Sequence, residues 1–276
     1  MSKTPNISER PKFDYPPVSE TVHGVQFSEL SGFRMVHFGR YWDCIRDRFP
    51  TTQDHERRSQ VIETIPRMHH PMNLELQLHS QTVPQRVWYF GKDEDEVIQI
   101  QPDWFIFNWR QQGKDYPSFS KTSVRFRDEF KRFKAFCLED KIEEPIPNLV
   151  EVSYINKILP ADNEPIIEYM GRLFTGLCWK ESTSDIFLGL PEAGTFNRVW
   201  VMNEKEGRLY AEASIAYDPE NKQEFILLRM TGRIPMKPEG IPSVSECLEQ
   251  AHGWVVRGFC AITNPDIQVN QWRRIK

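Results

Sequence analysis

FNRVWVMNEKEGRLYAEASIAYDPENKQEFILLRMTGR, residues 196–233, decides the fold class. FNRVWVMN (196–203), RLYAEASIAY (208–217) and QEFILLRMTGR (223–233) each alternate apolar and polar residues. Period two predicts strands, and the turn residues EKEG and DPENK between them make neighbours antiparallel. A helix follows, opened by the capping box S-V-S-E, with Ser243 at the N-cap and Glu246 at the third helical position. Val244, Cys247, Leu248, Ala251, Val255 and Phe259 form its buried stripe.

The same order of elements precedes it. Residues 18–30 predict a strand with Val25 and Phe27 inward, and Phe38, Tyr41, Trp42, Ile45 and Phe49 fall at helical spacing until Pro50. RVWYFG (86–91) and VIQIQ (97–101) predict a hairpin, and WFIFNW (104–109) a further strand. Phe126, Phe130, Phe133 and Cys137 mark a long helix over about 118–140. LVEVSYINKIL (149–159) predicts a strand and 165–174 a short helix. The expectation is an α+β fold of two similar units, each a strand, a helix, three antiparallel strands and a long helix, with the two sheets each packed on a long helix. A flexible segment over 1–15, a first unit over 16–145 and a second over 146–276, with an extended basic tail, complete it. The alternative is one larger sheet with helices on one face. Residues 51–85 are the least legible, with only Leu74, Leu76 and Leu78 alternating as in a strand.

The chain has 276 residues, enough for a core without disulfides or metals, and 18 Phe, 8 Trp and 8 Tyr to fill it. A net charge of −4 argues against wholesale nucleic-acid binding. The five cysteines are scattered with no CxxC, as in a reducing compartment. The polar, Pro-rich start is neither a signal peptide nor an anchor, and no run reaches the ~18 apolar residues of a spanning helix. A cytoplasmic protein without membrane contact is expected.

Motifs for chemistry are sparse. There is no phosphate loop, since GLPEAG (189–194) lacks the Lys, and no GxSxG elbow. His69, His70 and His79 are the densest metal candidates, but adjacent histidines on a strand face opposite ways. No metal, cofactor or catalytic residue is assigned. The segment QPDWFIFNW is more informative: alternation sets Asp103, Phe105, Phe107 and Trp109 on one face, and Trp104, Ile106, Asn108 and Arg110 on the other. With Trp88 and Tyr116, the residues Asp103, Trp104, Asn108, Trp109 and Arg110 form the candidate ligand or partner site. Lys121, Arg125 and Arg132 on the long helix and Arg273 and Arg274 in the tail form a basic surface. On the helix these bases are segregated from the phenylalanines, so a solvated face is favoured over nucleic acid.

YPPVSETVHGVQF (15–27), VIQIQPDWFIFNWR (97–110), Tyr116-Pro117, VEVSYINKI (150–158) and FCAITNPD (259–266) followed by Trp272 occur in an order that resembles a sporadically distributed bacterial family of uncharacterised proteins of about this length. No activity is established for that family, so the resemblance transfers no catalytic residue. Its patchy distribution implies an association with phage-defence or toxin–antitoxin systems. The leading expectation is a non-enzymatic binding or accessory protein acting through protein–protein contact, with a protein partner or a second copy. The alternatives are a small-molecule-binding module with an aromatic-lined cavity around Trp88, Trp104, Asn108 and Trp109, and a carboxylate- or metal-dependent hydrolase or nuclease using Asp103.

Overall fold

The computed structural model describes residues 10–63, 85–161, 164–177, 191–202, 206–237 and 242–275. In chain order they form β1 (Val18–Phe27), α1 (Met35–Ile45), β2 (Thr51–His55), β3 (Arg86–Phe90), β4 (Glu96–Gln101), β5 (Trp104–Arg110) and α2 (Phe119–Glu139). Then follow β6 (Pro147–Ile158), α3 (Ile166–Leu173), β7 (Thr195–Met202), β8 (Gly207–Asp218), β9 (Gln223–Pro235), α4 (Val244–Ile262) and α5 (Pro265–Asn270). The fold is α+β. The expected strand over 74–78 lies outside the described residues.

All nine strands join one antiparallel sheet, in the order β2-β3-β4-β5-β1-β6-β9-β8-β7. Where two sheets are expected, β1 and β6 pair from Val18↔Asn156 to Phe27↔Pro147 and carry the sheet across position 145 unbroken. Both strands are buried along most of their length, as interior strands are, so neither is an exposed edge at which the sheet stops. On either side of this seam the hairpins run outward, β5-β4-β3-β2 from β1 and β9-β8-β7 from β6.

The helices cover one face. Phe126, Phe130 and Phe133 of α2 pack on Phe105 of β5 with ring centroids 5.3–6.0 Å apart. Helix α4 lies over β6, β8 and β9. Its Ser243–Glu246 capping box forms as expected. Close approach depends on Gly232 in β9, where a Cβ would meet the Ala251 carbonyl oxygen at 2.9 Å and its Cα at 3.2 Å. Gly232→Val is therefore expected to lower stability by about 1–3 kcal/mol, through displacement of α4 rather than loss of strand propensity. Urea unfolding measures it, and a substitution without cost would contradict this packing.

The ends of the chain hold each other. The lead expected to be flexible over 1–15 is described from residue 10, and there Asp14 and Tyr15 donate to the Arg273 and Trp272 carbonyls, while Ile275 donates to Lys12. Phe13 stands edge-on to Phe259 and Trp272. Ahead of the basic end of the tail the chain forms α5, capped by Asn264 accepting from Asp266, and then buries Trp272. Among the described residues, no helix is long and apolar enough to cross a membrane.

Candidate functional site on the open face of the sheet

The strands that send apolar side chains to the helices send polar ones to the opposite face. In sheet order these include Gln99 and Gln101 of β4, Asn108 of β5, Gln26 of β1, Glu151 and Ser153 of β6, Thr231 and Arg233 of β9, and Arg208 and Tyr210 of β8. Most are buried, and buried polar groups need partners. Gln99 donates to Asn108 (2.9 Å), Asn108 to Glu20, and Ser153 and Thr231 share a hydrogen bond of 2.8 Å.

A strap over residues 56–63 runs across this face. Arg57 pairs with Asp103 (2.9 Å), and Gln101 exchanges hydrogen bonds with the backbone of Arg58. Gln26 does the same with Val61. The Arg58 guanidinium lies 4.5 Å over the Trp104 ring and binds both oxygens of Glu151 at 2.9–3.0 Å. Arg233 binds Glu151 from the other side at 2.7 Å. Burial works to raise the Glu151 pKa, but Arg58 and Arg233 outweigh it and hold the carboxyl below its usual range. At the strap's far end Glu63 pairs with Arg208, accepts from the Tyr210 hydroxyl (2.6 Å) and stands 3.6 Å from Arg233.

Beside the strap a cleft of about 360 Å³ opens on the sheet. Its charges are four guanidiniums (Arg58, Arg86, Arg229, Arg233) and three carboxylates (Glu20, Glu151, Glu212), with Trp88, Gln99, Asn108 and Tyr210 among the other walls. Burial raises the Glu20 pKa, against the Asn108 hydrogen bond and the charges of Arg110 and Arg229. Burial likewise lowers that of Arg86, with the Arg58 charge adding to it. On the β3 wall Arg86 stacks on Trp88 at 5.6 Å, and His55 covers the same indole at 4.1 Å. Both Arg86 Nε and Trp88 Nε1 are buried and find no acceptor among the described residues. Arg229 stands opposite Glu212 in the register, but among the described residues it closes no ion pair.

The expected site residues separate. Trp88 and Asn108 line this cleft, and Trp104 is sealed beneath Arg58 on the same face. Trp109 faces the helices, where with Phe107 it lines a second cleft of about 540 Å³ at the start of α2. One cavity cannot take all four, because alternation sends Trp104 and Asn108 one way and Trp109 the other. Asp103 is a correction too. It sits in the Pro102–Asp103 turn between β4 and β5, outside the strand alternation that places it with Phe105, and points to Gln101 (2.6 Å) and Arg57. Arg110 lies 6.0 Å over Phe90, and the Tyr116 hydroxyl meets that of Tyr154 at 2.6 Å.

The basic surface is partly neutralised. Arg125 binds Glu96 and, at 3.5 Å, Glu129, and Arg132 stands 3.9 Å from Glu129. Lys121 lines the second cleft, Arg273 covers Tyr15 at 4.9 Å, and Arg274 donates to Gln268. Among the described residues no three His, Cys, Asp or Glu side chains gather as a metal site, and His69, His70 and His79 lie outside them.

Glu63, Arg86, Glu151, Tyr210, Arg229 and Arg233 were absent from the residues expected at a site. A signal existed: in β8 and β9 the positions Arg208, Tyr210, Glu212 and Arg229, Thr231, Arg233 are polar at every second residue, so one face of a sheet interior is charged. No family model, curated protein or solved structure matches the chain.

Proposed function

We propose that the protein is a non-enzymatic ligand-binding module whose site is the open-face cleft, taking a small polar molecule that accepts hydrogen bonds. The observation that carries this is the pair of buried donors, Arg86 Nε and Trp88 Nε1, that find no acceptor among the described residues on one wall of that cleft. A buried donor left unpaired costs about 1–3 kcal/mol, a cost that a bound acceptor removes. Asp103, on which a hydrolase reading rests, is fully buried and already paired with Arg57, which speaks against that reading. The mirrored strand order about the β1–β6 seam supports two related units, the first carrying β2 as a fourth strand after its helix where the second has three, with the cleft lying across their junction. The resemblance to the bacterial family supports an accessory place in a defence system, where ligand capture would be the module's contribution.

Stability and binding should then oppose each other at Arg86. Arg86→Met removes a partly buried charge that closes no ion pair among the described residues, and is expected to raise the unfolding free energy by about 1 kcal/mol. A urea midpoint that falls instead would show that Arg86 serves the fold. Native mass spectrometry of the full chain, purified gently from its source cells, tests the function itself. A small retained mass that Arg86→Met loses is the expected result. A bare chain, or a stoichiometric protein partner with an empty cleft, would overturn the reading, the latter in favour of protein–protein contact.

A further inference from the structure

The open face already binds carboxylates of its own through guanidiniums, Glu63 and Glu151 among them, and the manner is informative. Glu63 is taken by Arg208, Arg233 and the Tyr210 hydroxyl, at 2% side-chain exposure. Arg233 and Tyr210 also line the cleft, so the cradle of Glu63 and the cleft are continuous. Glu63 arrives there on the strap, not on a strand, and the strap's other end is tied down by Arg58 on Glu151. Planar guanidiniums bind carboxylates through paired hydrogen bonds, and a phenol hydroxyl adds a third donor. Arg86 and Arg229 extend the same donor set along the cleft, with no carboxylate closed on either among the described residues.

We infer that Glu63 is an in-chain stand-in for the ligand, and that the cleft takes a small carboxylate with more than one acidic group. The inference rests on the cleft being a ligand site, and adds the ligand's class and its regulation. One carboxylate of the ligand meets Arg86, and another competes with Glu63 for Arg233 and Tyr210. Binding thus frees the strap's end, and a strap held in place weakens binding. The coupling is reciprocal, because whatever favours the released strap favours the ligand by the same factor.

Citrate is the probe, titrated calorimetrically at fixed ionic strength into the wild-type chain, Glu63→Gln, and Glu63→Gln with Arg86→Met. Glu63→Gln is expected to bind about tenfold more tightly than wild type, within the usual range of coupling between sites, and the Arg86→Met change to abolish the gain. Equal affinity in wild type and Glu63→Gln overturns the competition and leaves the cleft reading standing. Binding by neither, while the chain from source cells carries a small mass, overturns the carboxylate class alone. Citrate binding that survives Arg86→Met places the anion in the emptied cradle and overturns the cleft reading with it. A second measurement needs no variant. Glutamyl endopeptidase should cut the wild-type chain after Glu63 several-fold faster in citrate than in chloride of equal ionic strength. An unchanged rate overturns the displacement of the strap.

Discussion

Phe133→Ala is expected to cost about 3–5 kcal/mol of unfolding free energy, the range for deleting a large buried aromatic. The ring is fully buried on α2, where it meets Phe105 of β5 at 5.3 Å, Tyr41 of α1 at 5.5 Å, and Phe27 and Phe33 at 6.2 Å. Four separate segments of the first 105 residues thus converge on one side chain. Rings in such T-shaped and offset contacts gain about 0.5–1.5 kcal/mol each beyond area burial, so the site cannot collapse to fill the void without losing several at once. Urea unfolding at constant slope measures the loss. A cost under about 1 kcal/mol would mean that α2 does not close the core as described.

Acid should weaken the protein well above the range in which its carboxylates titrate. His23 is fully buried beneath α2, its Nε2 2.9 Å from the Thr122 hydroxyl. That hydroxyl is within donating distance of the Ser118 and Phe119 carbonyls, so it accepts from His23, whose Nδ1 finds no partner among the described residues. Burial lowers the His23 pKa to about 3. His252 of α4 lies flat on Phe119 at 3.8 Å and accepts from Arg10 at Nδ1. Its pKa is also lowered to about 3, by burial and then by the charges of Arg10, His23 and Arg257. A histidine depressed in the folded state contributes its full stability above the unfolded value near 6.5, and loses it as pH falls toward 3. Between pH 7 and pH 5 the loss from His23 is about 2 kcal/mol, with His252 acting in the same direction. His23→Gln should flatten the slope of unfolding free energy against pH in this window. A slope unchanged by the substitution would show that His23 does not titrate with unfolding.

Eight of the nine strands and the two long helices were legible because period decides them: alternation in β8 and β9, and Phe126, Phe130 and Phe133 on α2; β2 was not, because Thr51–His55 is polar and largely exposed and carries no apolar alternation. Their joining into one sheet was not, because pairing of β1 with β6 is a contact between residues over a hundred apart, and no local signal reports it. Trp88 and Asn108 were singled out from their place among strand aromatics, and they line the open-face cleft. Glu63 and Arg58 were not, since residues 56–63 carry no period, and their meaning lies in which strand residues they reach. Asp103 misled because alternation was extended one residue past the end of β5, into a turn. The short helix α5 was missed although Asn264-Pro265 is a cap followed by a helix-starting proline, a signal hidden by the polar composition around it.

The central claim is that the Trp88 wall of the open-face cleft awaits an acceptor, and the indole N–H reports on it directly. The chain has 8 tryptophans, and the indole resonance of Trp88 is the one that disappears in Trp88→Phe. In a nitrogen-15 spectrum of the full chain, titration with citrate should move that resonance to saturation, and Arg86→Met should abolish the movement. A Trp88 indole signal that stays fixed at saturating citrate, and equally fixed when the chain is compared with and without the small molecules of its source lysate, would contradict the account.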